Sequence, residues 1–125
     1  VTSNPGSADL QRRESDGVKI FEIVGQFAGR ASEEGRKTEV GLVVGLTNAG
    51  GDVLTGLPDV PLLIPGLGAQ GGDLSALTGS GRQAPNVVNV SRGVIYGNEG
   101  SPAELADRFA REIAEALEQG AQEGS

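Results

Sequence analysis

The stretch LLIPGLGAQGGD, residues 62–73, decides the fold. Three apolar residues run into Pro65 and then into a bend with four glycines and one amide side chain, Gln70. A bend of this kind packs little surface of its own and costs conformational entropy to order. It makes sense where another body must come close to the backbone. Peptide N–H groups on a glycine-rich turn between a strand and a helix form a nest for anions, strengthened by the positive end of the helix dipole. Gln70 is the side chain there that can both donate and accept hydrogen bonds. Read alone, such a turn is as readily a plain connector, so its neighbours carry the argument.

Upstream, VGLVVGLT (residues 40–47) is apolar and β-branched without alternation, which predicts a strand buried on both faces. Downstream, NVVNVSRG (residues 86–93) reads as another strand. It ends in the hydroxyl of Ser91 and the guanidinium fork of Arg92, a pair suited to phosphate. NAGGDVLTGLPD (residues 48–59) is too rich in glycine for more than a turn or two of helix, and Asp73 can cap a short helix through Leu77. Near the N-terminus, Asp16-Gly17 precedes Val18, Phe21, Val24, Phe27 and Ala31, whose spacing predicts one apolar helical face. That reading puts Lys19 at the start of a surface helix, away from the strand ends. Ser101-Pro102-Ala103-Glu104 is a capping box with proline at the first helical position. Leu105, Phe109, Ile113 and Leu117 continue it as an apolar stripe.

Buried strands alternating with helical segments indicate parallel βαβ units. Counting a strand stub at Val1, residues 1–125 hold four βα repeats, which suit a doubly wound sheet or a (β/α)8 barrel. A complete barrel runs to about 250 residues, twice this chain.

Composition narrows the chemistry. Hydrophobic residues make up 37% of the chain and aromatics 3%, so Leu, Val, Ile and Ala fill the core. Without cysteine or histidine there is no disulfide framework, no thiolate metal site and no imidazole base. A net charge of −7 argues against nucleic acid and anionic membranes as partners. No apolar run approaches the roughly 20 residues of a membrane span and no signal peptide opens the chain, so a cytoplasmic protein is expected. The turn chemistry directly after Val1 and the absence of methionine are both accounted for by an internal piece of a longer chain.

Four segments, TSNP (2–5), VVGLT (43–47), PGLGAQGGD (65–73) and NVSRG (89–93), stand in the order and spacing of one family. The chain resembles the C-terminal half of an orotidine 5'-phosphate decarboxylase of the longer bacterial branch. The resemblance implies an α/β fold, the C-terminal half of a TIM (β/α)8 barrel comprising strands 5–8 with their helices. It implies conversion of orotidine monophosphate to uridine monophosphate and CO2 in pyrimidine biosynthesis, without cofactor or metal. Ser3 would read the pyrimidine edge, Gln70 would bridge pyrimidine and phosphate, and Arg92 would grip the phosphate beside Ser91. Pro65, Gly66, Gly68 and Gly71 would shape a loop closing over the ligand. The lysine–aspartate network of the family has a DxKxxD-type spacing that this chain lacks, so the catalytic residues are expected in an absent N-terminal half. That half and a second copy, in a homodimer, are the expected partners. Leu46 stands where the family usually has alanine, which places a larger side chain close to the barrel mouth. Another phosphate-binding barrel enzyme and a non-catalytic half-barrel are the alternatives.

Overall fold

Alternation, rather than burial on both faces, organises the strands. The computed structural model describes residues 5–33, 38–46, 51–67, 74–77 and 80–122. Within them, β3 (Leu42–Val43), β4 (Leu62–Pro65) and β5 (Asn86–Asn89) form a parallel sheet in that order. Leu42, Val44, Leu62 and Ile64 point to the helices and are buried. Val43, Leu63 and Val87, which lie in register across the sheet, point the other way and are 52%, 40% and 60% exposed. The expectation of strands buried on both faces is therefore corrected for the described residues. Successive side chains leave a strand on opposite sides, and the helices cover only one of them.

The covered side holds the core. Phe21, Val53, Leu54, Leu57, Val60 and Leu77 close over Leu42, Val44, Leu62 and Ile64. A fully buried side chain of this size stabilises the fold by about 1.5–3 kcal/mol. Leu46 joins the same cluster at 4% exposure. Two positions beyond Val44, it faces the helices and not the barrel mouth, which corrects the reading of a bulky residue at the pocket wall.

The N-terminal region also departs from expectation. A 3-10 turn (Pro5–Ser7) and the short α1 (Ala8–Gln11) lead into a hairpin of β1 (Glu14–Ser15) and β2 (Val18–Lys19). Asp16 and Gly17 both have positive φ, 53° and 78°. That is the conformation required by a two-residue hairpin turn, for which Asp-Gly is a preferred pair. Val18 and Lys19 are thus strand residues, and helix α2 begins after them, at Ile20–Glu33.

Helix α2 buries Phe21, Gly25 and Ala28, while Val24 and Phe27 stay 43% and 62% exposed. A Cβ on Gly25 would stand 2.7 Å from Leu57 Cδ2 and 2.9 Å from Pro58 Cδ. The close approach is made through a residue without a side chain, so the apolar face predicted through Val24 and Phe27 is not the packed one. Arg30 instead lies over the Phe27 ring, 4.8 Å from its centroid.

The remaining helices follow their sequences. Helix α3 (Gly51–Thr55) is a single short piece, and Leu74–Leu77 form a 3-10 turn. Helix α4 (Arg92–Ile95) follows β5. Helix α5 (Pro102–Gln122) starts at the capping box: Ser101 N–H donates to Glu104 Oε2 (2.8 Å) and Glu104 N–H to Ser101 Oγ (3.4 Å). Glu104 Oε2 also accepts the Ser101 hydroxyl at 2.8 Å, and the two bonds it accepts, from the Ser101 N–H first and the hydroxyl second, hold the Glu104 carboxyl below its ordinary pKa. Leu105 and Phe109 are buried and Ile113 and Leu117 half-buried, as the stripe predicts.

At the entry to the strands, Arg82 ties two loops together. Its side chain is 4% exposed. It donates to the carbonyls of Pro58 and Val60 at 2.8 Å each, and to those of Leu57 and Leu54 at 3.4 and 3.5 Å. Asp59 stands 3.8 Å away and accepts the N–H groups of Gln83 and Ala84. Burial lowers the pKa of Arg82, and Asp59 opposes that shift.

Candidate ligand site at the strand ends

In parallel α/β sheets, ligands bind outside the carboxyl ends of the strands. Here β4 ends at Pro65 and β5 at Asn89, and these two residues are partners in register. Strand β5 is shorter than residues 86–93. At Ser91 the backbone turns into the helical region (φ −112°, ψ −73°), and its carbonyl accepts the N–H groups of Val94 and Ile95. Arg92 therefore opens helix α4 and does not end the strand.

Ser91 and Arg92 are both exposed. The Ser91 hydroxyl donates to Asn89 Oδ1 at 2.8 Å. Among the described residues the Arg92 guanidinium has no hydrogen bond or ion pair. It borders an open pocket of about 570 Å³ that Tyr96, Asn98, Arg108 and Phe109 also line. Arg108 is committed elsewhere, to Glu99 at 2.7 Å and Glu112 at 3.8 Å. Gly93 lets α4 sit against α5, since a Cβ there would stand 3.0 Å from the Phe109 ring. Pro65, Ser91 and Arg92 thus belong to one end of the sheet. Ser3, Gly68, Gln70 and Gly71 lie outside the described residues. Chemically, this end offers a guanidinium with its donor fork open, the arrangement that receives an anion.

Sequence reasoning missed two features of this end. Asn89 is one. The other is a cation pair on Asp52, near the start of α3: Arg12 Nη1 lies 2.9 Å and Lys19 Nζ 3.6 Å from Asp52 Oδ2. The hydrogen bond from Arg12 is the main cause holding the Asp52 carboxyl below its usual value, opposed by desolvation and aided by the charges of Arg12 and Lys19. Lys19 therefore reaches the segment that follows β3, contrary to its expected place on a surface helix. The Asp16-Gly17 dipeptide was the available signal, because a hairpin there sets Arg12 and Lys19 side by side. Among the described residues no three acidic side chains gather as a metal site, and no helix is long and apolar enough to cross a membrane.

No family model matches the chain. It is 42% identical, over 94% of its length, to the orotidine 5'-phosphate decarboxylase of Variovorax paradoxus, of which it covers 45%. It is 41% identical, over 93% of its length, to that of Roseiflexus castenholzii, of which it covers 44%. The chain spans less than half the length of these curated relatives. Among solved structures it superposes on Leishmania donovani UMP synthase with a TM-score of 0.71 at 34% identity, covering 93% of this chain and 26% of that one. Leishmania donovani OMP decarboxylase gives 0.70 at 30% identity, covering 93% and 46%. The described fold, α/β with a parallel sheet, resembles part of these proteins.

Proposed function

From this similarity to one part of the orotidine 5'-phosphate decarboxylases, we propose that the chain is the C-terminal half of such a barrel, strands 5–8 with their helices. In this reading it carries the grip on the nucleotide. Arg92 holds the phosphate of orotidine monophosphate beside Ser91, and Pro65 shapes the neighbouring strand exit. Ser3, Gln70, Gly68 and Gly71 take the pyrimidine and phosphate roles that the resemblance gives them. Decarboxylation requires the lysine–aspartate residues of another segment, so the chain alone binds and does not convert.

The observation that carries the reading is the open guanidinium of Arg92 beyond the C-terminal end of β5, in a chain with these relatives. The bare sheet face supports it too. Among the described residues, Val43, Leu63 and Val87 form an exposed apolar row with no helix over it. A closed barrel fills that side with layers of side chains, and the missing half would supply the opposing layers. The test is to purify the 125-residue chain, verify its mass and assay turnover of orotidine monophosphate. No turnover is expected from the chain alone, and turnover is expected once the complementary half is added. Leu63→Asp should block that recovery by placing a charge in the apolar layer. A monomer with ordinary enzymatic rates would sink the half-barrel reading.

A further inference from the structure

We infer that Asn89 is a further nucleotide-binding residue, whose side-chain amide donates to an oxygen of the sugar-phosphate part of the ligand. The inference rests on the reading above. Along the bare face of the sheet, Val43, Leu63 and Val87 make an apolar row. One step nearer the carboxyl ends, the next residues on that face are Pro65 on β4 and Asn89 on β5. Asn89 is therefore the polar side chain on an otherwise apolar wall of these two strands, at the level where the strands stop.

In a closed barrel that wall is enclosed, and an enclosed amide costs free energy unless each of its groups is paired. Its acceptor is already satisfied, because Oδ1 takes the proton of the Ser91 hydroxyl at 2.8 Å. That bond also fixes which way the amide lies. What is left over is the NH2 group, which carries two donors and no acceptor. The groups that pair with it must be acceptors. Oxygens of a phosphate ester or a ribose fit, and both would arrive at the end of the sheet that carries Arg92. An apolar residue would serve the wall better if packing were the only demand at this position. By contrast Asn86, on the opposite face of the same strand, turns its side chain toward the helix layer and has no part in this site.

The experiment uses the complete barrel, this chain together with its complementary half, and titrates uridine monophosphate and uridine against the parent protein and the variants Asn89→Asp, Asn89→Ala and Arg92→Ala. Asn89→Asp keeps the shape and the Ser91 bond but replaces the donors by a carboxylate, so it should weaken nucleotide binding at least tenfold. Asn89→Ala should weaken it severalfold, less than Asn89→Asp. Melting temperatures measured alongside separate loss of binding from loss of fold, and the isosteric aspartate keeps the test valid if the alanine variant fails to fold. If Asn89→Asp binds the nucleotide as tightly as the parent while Arg92→Ala does not, the role of Asn89 is refuted and the phosphate grip stands. If Arg92→Ala also leaves nucleotide binding unchanged, the proposed function itself fails.

Discussion

Arg82 and Arg92 stand at opposite ends of strand β5 and are built in opposite ways. Arg82, ahead of the strand, is buried, spreads its guanidinium over four backbone carbonyls and faces Asp59. Arg92, beyond the strand, is exposed and has no partner among the described residues. The same functional group is thus consumed in holding loops together at one end and left available at the other. This division matches parallel barrels, in which one end of the strands serves stability and the other chemistry. Burial and partner count, more than residue type, separate an arginine consumed by the fold from one left available.

The sharpest way to break this contrast is to truncate each arginine. Arg82→Ala would leave several buried carbonyls without donors and Asp59 without its cation. Unfolding by urea should show a loss of about 3 kcal/mol or more, from two short charged hydrogen bonds at about 1.5–3 kcal/mol each, and Arg82→Lys should recover only part of it, because an ammonium cannot span the same fork. A loss below ~1 kcal/mol, the worth of a single ordinary hydrogen bond, would mean that the loops hold without the staple. Arg92→Ala should leave stability within about 0.5 kcal/mol, as for an exposed position. In the complete barrel it should weaken nucleotide binding by about 1.5–3 kcal/mol, the range for a charged hydrogen bond. Binding of the free nucleoside should be unaffected. Equal losses for both ligands would remove Arg92 from the phosphate.

A smaller effect sharpens the comparison through pH. Asp52 and Glu104 titrate below their ordinary values of 3.8 and 4.5 in the folded chain. Each contributes stability that is present above those values and disappears as pH falls through the folded pKa. Denaturation midpoints should therefore drop on acidification below about pH 4.5, the ordinary glutamate range. Asp52→Asn and Glu104→Gln should each flatten that drop. The arginine staple carries no such signature, because Arg82 stays charged throughout. An acid drop that flattened in Arg82→Ala, as it should in Asp52→Asn, would contradict this separation.

The sequence announced some of this architecture and hid the rest for definable reasons. Ser101-Pro102-Ala103-Glu104 was legible because a capping box is local: its donors and acceptors lie within one turn. The short α3 followed from the glycines around it. The site end was legible through Ser91 and Arg92, although the strand stops earlier than its apolar run. What escaped were features that depend on contacts distant in the chain. Counting apolar side chains turned α2 onto the wrong face, since the tight contact is made by Gly25 against Leu57 and Pro58. Asp16-Gly17 stands ahead of a helical spacing that masks the hairpin chemistry of the pair. Nothing near Arg82 in the sequence marks it, and only the folded chain gathers carbonyls around it. The face that Asn89 takes is not legible in the sequence, because it is decided by the register with Pro65.

Strand β5 has a partner on one side only among the described residues. Natural edge strands discourage unwanted pairing with a lysine, a proline or a bulge. Asn86-Val87-Val88-Asn89 contains neither lysine nor proline, and its outward valine is 60% exposed. Such an edge is a template for any strand that reaches it first, including the same strand of a neighbouring molecule. The order of events in the cell then matters as much as affinity. On the half-barrel proposal the chain must meet its complementary half sooner than it meets itself, and a preparation concentrated without that half should grow cloudy through this edge.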